Sequence, residues 1–262
     1  MTTQSSGGAK LQHERQREIY MIALKQGAVD VSELARQFGV TTETIRRDLG
    51  DMQDRQLVRR VHGGAVPLER LNHEPMVDAR DMLNADEKLR IAREAIAEVP
   101  QRGSVIIDSG SSGQRLAEVF PVDRDVHVVT NSLITALTLS RRGLRELTVL
   151  GGGVRTNTFA MVDANALLAV RMMAVDVLFI SCDGLSFRRG LTTPYRDESL
   201  IKRAMIESAR RVVAIVDQSK FGNGQMFSYA ELDEIDVLIT DTRVDDDTID
   251  VLAGHDIAVR RA

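Results

Sequence analysis

Apolar side chains recur along this chain in two rhythms, and the change from one to the other divides it. Over the first 66 residues the spacing is helical. Ile19, Ile22 and Ala23 mark a helix within Leu11–Gln26 that Gly27 stops. Val31, Leu34, Ala35 and Phe38 predict a second over Ser32–Phe38, ended by the positive φ that Gly39 tolerates. Ile45, Leu49 and Met52 place one stripe on a third, Thr41–Arg55, with Thr41 as a hydroxyl N-cap. Leu57–Val61 then has strand character and runs through Arg59, Arg60 and His62 into Gly63–Gly64, a hairpin that Pro67 closes. Residues 1–10 are Ser/Gly-rich and read as a disordered tail. The stretch 67–83, with Pro75 and many charges, reads as a linker.

From residue 84 onward the pattern alternates. An amphipathic helix is predicted over Asp86–Val99, with Leu89, Ala92, Ile96 and Val99 on one stripe. Solid apolar runs follow at Val105–Ile107, Val126–Val129, Leu147–Leu150, Val175–Ile180, Val212–Val216 and Val237–Ile239. Between them lie helical segments Gln114–Val119, Leu133–Arg142, Asp163–Val170, Glu198–Ala209 and Asp247–Ala253. Runs without alternation suit parallel strands covered on both faces. The fold class expected is therefore α/β: an N-terminal winged helix-turn-helix over 11–66 and a C-terminal open α/β sheet domain over 84–262. Ligands of open sheets bind outside the carboxyl ends of the strands.

The first unit carries the chemistry of a DNA reader. Glu43, Arg47, Gly50 and Asp54 point away from the Ile45–Leu49–Met52 stripe, with Arg46 on the flank. Two adjacent arginines near the start of a second helix suit the major groove, since Arg pairs bidentately with guanine and a helix N-terminus favours a phosphate. The basic hairpin tip suits the sugar-phosphate backbone. The plain alternative is a helical pair with a solvated Arg-Arg face. Net charge is −4, but residues 1–66 hold 10 Lys/Arg against 8 Asp/Glu, and the remainder 24 against 30. The cluster Arg46, Arg47, Arg55, Arg59 and Arg60 must carry the electrostatics.

In the second unit, five successive strand ends carry small, polar or acidic groups. They are Asp108-Ser109-Gly110-Ser111-Ser112-Gly113, Thr130-Asn131-Ser132, Gly151-Gly152-Gly153, Cys182-Asp183-Gly184 and Asp217-Gln-Ser-Lys220. The first is a compact anion cradle, with glycines that let backbone approach and serine hydroxyls at a helix start. It is neither a Walker loop nor a full dinucleotide fingerprint. One Ser/Gly loop is often only a turn, whereas five aligned ends indicate a small-molecule site, phosphorylated by the first loop's chemistry. Lys220 would supply the cation, as a point charge on a flexible stem.

TIRRDL followed by RRVHGGAV resembles the amino-terminal signature of the DeoR family of bacterial transcriptional repressors. DSGSS, VVTNS, LGGGVR, DGL, GLTTP, KRAM and VDQSKFG resemble successive motifs of that family's sensor domain, so the likeness spans nearly the whole chain. The resemblance implies operator DNA contacted through Thr41, Thr42, Glu43, Thr44, Arg46 and Arg47, with Arg59, Arg60, His62 and Gly63 in the wing. It implies a sensor similar to ribose-5-phosphate isomerase that binds a sugar-phosphate inducer. Asp108–Gly113 and Lys220 would hold the phosphate and Thr130, Asn131, Ser132 and Asp183 the hydroxyls, with Gly152, Gly153 and Gly184 also effector-binding. One departure is Met161-Val-Asp163, where much of the family has Val-Gly; Asp163 reads as an N-cap rather than a sugar contact. This segment and TTPYRDES resemble an actinobacterial branch linked to fructose utilisation, which makes fructose 1-phosphate the expected inducer.

The remaining features narrow the choice. An apolar content of 43% with 27% charged residues and a polar start, MTTQSSGGAK, fit a cytoplasmic protein without a signal peptide. The apolar stretch Ala164–Ile180 is broken by Arg171 and Asp176, so no membrane span is expected. A single Cys permits no internal disulfide or thiol metal cluster, and Cys182 reads as a buried filler. No cofactor or metal is expected. An isomerase needs a base over the carbon acid. Here Asp183-Gly-Leu-Ser-Phe187 lacks a second Asp, and Glu198 could lie on an exposed helix face. The expectation is a non-enzymatic repressor acting as a homo-oligomer, dimer or tetramer; the alternatives are an isomerase-like enzyme and an activator or regulator that senses no ligand.

Overall fold

The computed structural model describes residues 12–55, 57–67 and 77–262. The tail expected over 1–10 and most of the expected linker lie outside them. The chain divides into two compact units between Leu83 and Asn84.

In the first unit, α1 (Gln12–Gln26), β1 (Val29–Asp30), α2 (Val31–Phe38) and α3 (Thr42–Asp54) precede the hairpin β2 (Val58–Val61) and β3 (Gly64–Pro67). Ile19, Ala23, Leu34, Ala35, Ile45, Leu49, Met52, Leu57 and Val58 close one apolar core, so the predicted stripes do meet. The sequence showed a two-stranded hairpin, but the sheet has three strands in the order β1-β3-β2. Two residues are too few to show a period, so β1 left no signal. A Cβ on Gly64 would lie 1.9 Å from the Val29 carbonyl oxygen, so glycine permits the third strand to close. The described end of the expected linker contains a helix, α4 (Val77–Met82).

The second unit begins with α5 (Ala85–Ala95), and a 3-10 turn at Ile96–Glu98 ends the helix predicted to Val99. It continues with β4 (Arg102–Ile107), α6 (Ser111–Val119), β5 (Asp125–Thr130), α7 (Leu133–Arg141), β6 (Leu147–Val149), β7 (Val154–Arg155), β8 (Ala160–Met161) and α8 (Ala164–Arg171). Then come β9 (Val177–Ile180), β10 (Gly184–Ser186), β11 (Gly190–Thr193), α9 (Arg196–Ser208), β12 (Val212–Ile215) and β13 (Phe227–Ala230). The last elements are β14 (Val237–Thr240), α10 (Asp246–Ala253) and β15 (Ala258–Arg261). Seven parallel strands run in the order β15-β14-β12-β9-β4-β5-β6. Alternate residues serve two cores. Val105, Ile107, Val128, Phe179, Val213 and Ile239 pack with α5, α6 and α7 residues, while Ile106, Leu178, Ile180, Ala214 and Leu238 pack with α8 and α9. Burial on both faces explains the solid apolar runs.

The sequence did not reveal the antiparallel sheet β10-β11-β13 or the β7–β8 pair. Their strands have two to four residues, too few to show a period. The edge strand β15 was missed for the same reason.

Burial makes a direct prediction. Phe179→Ala, at a fully buried site, should lower unfolding free energy by about 3–5 kcal/mol, whereas Leu137→Ala, half exposed on α7, should change it by no more than about 0.5 kcal/mol. Urea melts read both, and equal effects would contradict the layer assignment.

Candidate functional site

The helix-turn-helix is fixed by local chemistry. Asp30 caps α2, accepting from the N–H groups of Ser32 (2.8 Å) and Glu33 (2.9 Å). Gly39, at φ 64°, ends it in the left-handed region. Thr41 caps α3 through Thr44 N–H at 3.1 Å, as its sequence position predicted. Arg46 and Arg47 are exposed with Thr41 and Glu43, while Thr42 and Thr44 are half-buried beside them. Arg46 lies 3.4 Å from Glu43, a solvated pair of little energetic weight that DNA would easily displace. Asp48 had no assigned role. It is buried, accepting from Arg15 Nε at 2.6 Å and Gln16 Nε2 at 3.3 Å, so it ties α1 to α3 and is withheld from the DNA face. In the wing, Arg59, Arg60, His62 and Gly63 are all exposed, and Gln53 accepts the Arg60 N–H at 2.9 Å, anchoring the hairpin to α3.

In the parallel sheet the chain moves outward from β4 to β5 and β6, then returns to the opposite side of β4 to lay down β9, β12, β14 and β15. The order therefore reverses between β4 and β9, where open sheets form their ligand crevice. Asp108 follows β4, and Ser181, Cys182 and Asp183 follow β9. Helix α6 begins at Ser111, three residues before its predicted start, so half of the expected loop is helix. Its N-cap, Gly110, has φ 113° and offers no side chain. The first-turn N–H groups of Ser111, Ser112 and Gly113 thus have no side-chain cap. A Cβ on Gly113 would sit 2.2 Å from the Asp108 carbonyl oxygen, so this residue must be glycine for the turn to fold against β4.

Several expected ligand groups are committed inside the protein. Ser109 N–H donates to Asn131 Oδ1 at 2.9 Å. Thr130 is fully buried and its hydroxyl accepts from Ser132 N–H at 3.1 Å, while Ser132 Oγ caps α7 through Thr135 N–H. Gly153 N–H donates to Asp163 Oδ2 at 2.7 Å, and a Cβ on Gly152 would meet Asp163 Oδ1 at 2.2 Å. Asp163 also caps α8 through the N–H groups of Asn165 and Ala166, the role its position suggested, and the Gly153 N–H holds its carboxyl below the usual carboxylate range. Gly184 is a packing glycine in β10, since a Cβ there would fall 1.5 Å from the Asn223 carbonyl oxygen. Thr130, Gly152, Gly153 and Gly184 are thus packed closely against other parts of the chain.

What converges is charged. Cys182 is buried, and burial pushes its thiol up to about 12, as befits a filler; Lys220, Asp183, Lys202 and Asp217 all act on it electrostatically. Lys220 sits half-buried in a 3-10 turn, Gln218–Lys220, that Asp217 caps through Ser219 N–H. Asp217 is desolvated, yet Lys220 and Lys88 outweigh that and hold its carboxyl below the usual range. Lys202, on α9, was missed. It is buried, paired with Asp108 Oδ2, and donates to the Ser181 carbonyl at 2.9 Å. One turn earlier, Glu198 is buried and paired with Arg155 and Thr193 Oγ1, not exposed as one reading allowed. The Lys-Arg-Ala-Met motif held the signal: an i, i+4 Glu–Lys couple on the inward face of an amphipathic helix.

Residues 15–70 match the DeoR-like helix-turn-helix domain, and residues 83–242 match the DeoR C terminal sensor domain. The chain belongs to the DeoR family. It is 33% identical to the HTH-type transcriptional regulator GlpR of Haloferax volcanii over 94% of this chain and 96% of that one. It is 29% identical to the glycerol-3-phosphate regulon repressor of Escherichia coli K12, over 94% and 97%. Among solved structures, ribose 5-phosphate isomerase A of Methanocaldococcus jannaschii is similar over 53% of this chain and 55% of that one, with a TM-score of 0.40 and 17% identity. This DeoR-family protein is a transcriptional regulator. Among the described residues no helix is long and apolar enough to cross a membrane.

Gly113→Ala should destabilise this regulator by about 1–3 kcal/mol, because the helix start must move off Asp108. An unchanged melting curve would show that α6 does not abut β4 so closely.

Proposed function

We propose that this regulator represses a sugar-utilisation operon in the cytoplasm and leaves its operator when a phosphorylated sugar enters the β4/β9 crevice. The observation that carries the reading is the start of α6: three first-turn N–H groups without a side-chain cap, at the switch point of a parallel sheet. A phosphate satisfies such donors and the positive end of the helix dipole. Lys220 adds a cation at the same strand ends, and Asn131 and Asp183 supply polar groups for sugar hydroxyls. The E. coli relative's name, a glycerol-3-phosphate regulon repressor, supports a phosphorylated effector. Fructose 1-phosphate is the specific effector we propose.

The readers act as a homo-oligomer on an inverted repeat, since one three-helix unit makes few phosphate contacts. Induction then requires the effector to bind the low-affinity DNA conformer better, because equal affinity for both shifts nothing. Arg46 and Arg47 read bases, and Arg59, Arg60 and His62 hold the backbone.

On a site enriched from random DNA, Arg47→Ala should lose about 1–3 kcal/mol of binding and relax preference at one position. Arg59→Ala should weaken all sequences alike and reduce the slope of affinity against salt by about one ion. Unchanged operator affinity for Arg47→Ala at physiological salt would remove α3 from the major groove.

For the effector, a thermal-shift screen of phosphorylated sugars should find compounds that raise the melting temperature while their unphosphorylated forms do not. Lys220→Ala should keep DNA binding and lose about ten- to hundredfold in affinity for the same compound, the worth of one charged hydrogen bond. Release of DNA at the wild-type concentration by that variant would exclude Lys220 from the phosphate site.

A further inference from the structure

The crevice contains an apparent contradiction. Asp108 is a carboxylate one residue into the loop whose amides are offered to an anion, and at 1% exposure it has no water to screen it. Two like charges in so dry a place repel strongly. We propose that Lys202 is the positioning residue that cancels Asp108 and so makes the Asp108–Gly113 turn able to accept a dianion. The proposal rests on the reading of this crevice as the effector site and adds the group that makes that reading electrostatically possible.

Four observations place Lys202 in this role. Its Nζ pairs with Asp108 Oδ2 and donates to the Ser181 carbonyl, so it bridges the ends of β4 and β9 across the switch point. The Ser181 N–H in turn donates to Asp108 Oδ2 at 3.3 Å, and the Ser181 hydroxyl to the Ser109 carbonyl at 3.3 Å, closing a ring around the crevice floor. Tyr229 stands beside the ammonium, its ring centroid 5.4 Å from Nζ and its hydroxyl donating to the same Ser181 carbonyl at 2.8 Å. Lys202 is itself only 5% exposed, so the ammonium is held in place rather than swinging in solvent. Burial opposes its charge, but Asp108, then Glu198, outweigh burial and keep it protonated.

These contacts assign Lys202 a different task from Lys220. A lysine that touches the phosphate would keep its donors for the ligand, as the half-buried Lys220 can. Lys202 gives its donors to Asp108 and Ser181. It acts on the ligand through the charge it removes.

Sulfate is the probe, because it presents a phosphate-like dianion without the sugar. The quantity read is the sulfate-induced rise in melting temperature at constant ionic strength, fitted to an apparent affinity, for the full chain and three variants. In Lys202→Met that affinity should fall by about tenfold or more, the worth of one uncompensated charge. In the double variant Asp108→Asn/Lys202→Met it should return to within about threefold of wild type. In Asp108→Asn alone it should equal or exceed wild type. A purely structural Lys202 would lower the starting melting temperature and leave the sulfate-induced rise unchanged, which would overturn the proposal. So would a double variant no better than Lys202→Met, since Lys202 would then touch the anion itself. If Lys202→Met does not fold, the Asp108→Asn arm decides, and weaker sulfate binding there overturns the proposal. A wild-type protein that no sulfate or sugar phosphate stabilises would remove the effector reading, and the proposal with it.

Discussion

A buried lysine joins the two halves of the sensor sheet at the point where the chain parts them. The strands after β4 proceed to one side and those after β9 to the other, so the ends of β4 and β9 have no crossover to tie them. Their backbones pair in register as far as Ile107 and Phe179, and the Asp108 N–H donates to the Phe179 carbonyl at 3.0 Å. Beyond that pairing, Lys202 bridges the two strand ends through Asp108 and Ser181, and Tyr229 brings in the small antiparallel sheet, packed in the same core as α9. A buried pair of this kind adds little over an apolar filler of the same shape, but removing one member leaves a charge with no partner. That asymmetry makes the pair better suited to specifying a site than to stabilising a fold. The apolar layers above and below supply the stability.

From that seam outward, the helix start of α6 is positioned by a series of close approaches. Gly113 lets the turn lie on the Asp108 carbonyl, Asn131 takes the Ser109 N–H, and Ser132 caps the next helix. Asp163 does the same for the Gly151–Gly153 loop while capping α8. Each commitment removes a donor from the pool a ligand could use. Asn131 Nδ2 is committed in turn to Ser109 Oγ and the Met161 carbonyl, so what remains is three backbone N–H groups of α6 and the Lys220 ammonium, a set richer in donors than acceptors. Such a set favours an anion with hydroxyls over a neutral sugar, which binds by exchanging donors and acceptors in equal measure.

The layers of the sensor were legible in the sequence because parallel strands buried on both faces leave unbroken runs such as Val175–Ile180, although that strand begins only at Val177. The helix-turn-helix was legible because its stripe, its Gly39 stop and its Thr41 cap are each local. Features made by distant residues were not. Lys202 meets Asp108 across 94 positions, and no spacing rule connects them. Arg155 meets Glu198 across 43, so Glu198 read equally well as a solvated residue until α9 was seen to turn it inward. Glycines carried a second signal that the sequence did not separate from the first. Gly152 and Gly184 were read as effector-binding loop residues, and the neighbours that require glycine there are Asp163 and Asn223 of the same chain. Flexibility and close approach leave the same mark in a sequence, and only the neighbour tells them apart.

The reader shows the same division between local and distant chemistry. Its exposed arginines sit on a unit with a charge excess of only two, in a chain that is acidic overall, so attraction to DNA cannot come from the average field. Burying Asp48 against Arg15 and Gln16 withdraws an acid that would otherwise face the phosphates from the middle of α3. Both units thus handle an awkward carboxylate in one way: Asp48 and Asp108 are each turned inward and matched to a buried cation. The α3 face then carries Arg46 and Arg47 with the exposed Glu43, and the crevice proposed for the effector carries the uncapped N–H groups of α6 and Lys220. On the reading proposed above, an acidic protein binds two kinds of anion with the help of two acids held inward, and this depends on a few buried partners rather than on composition.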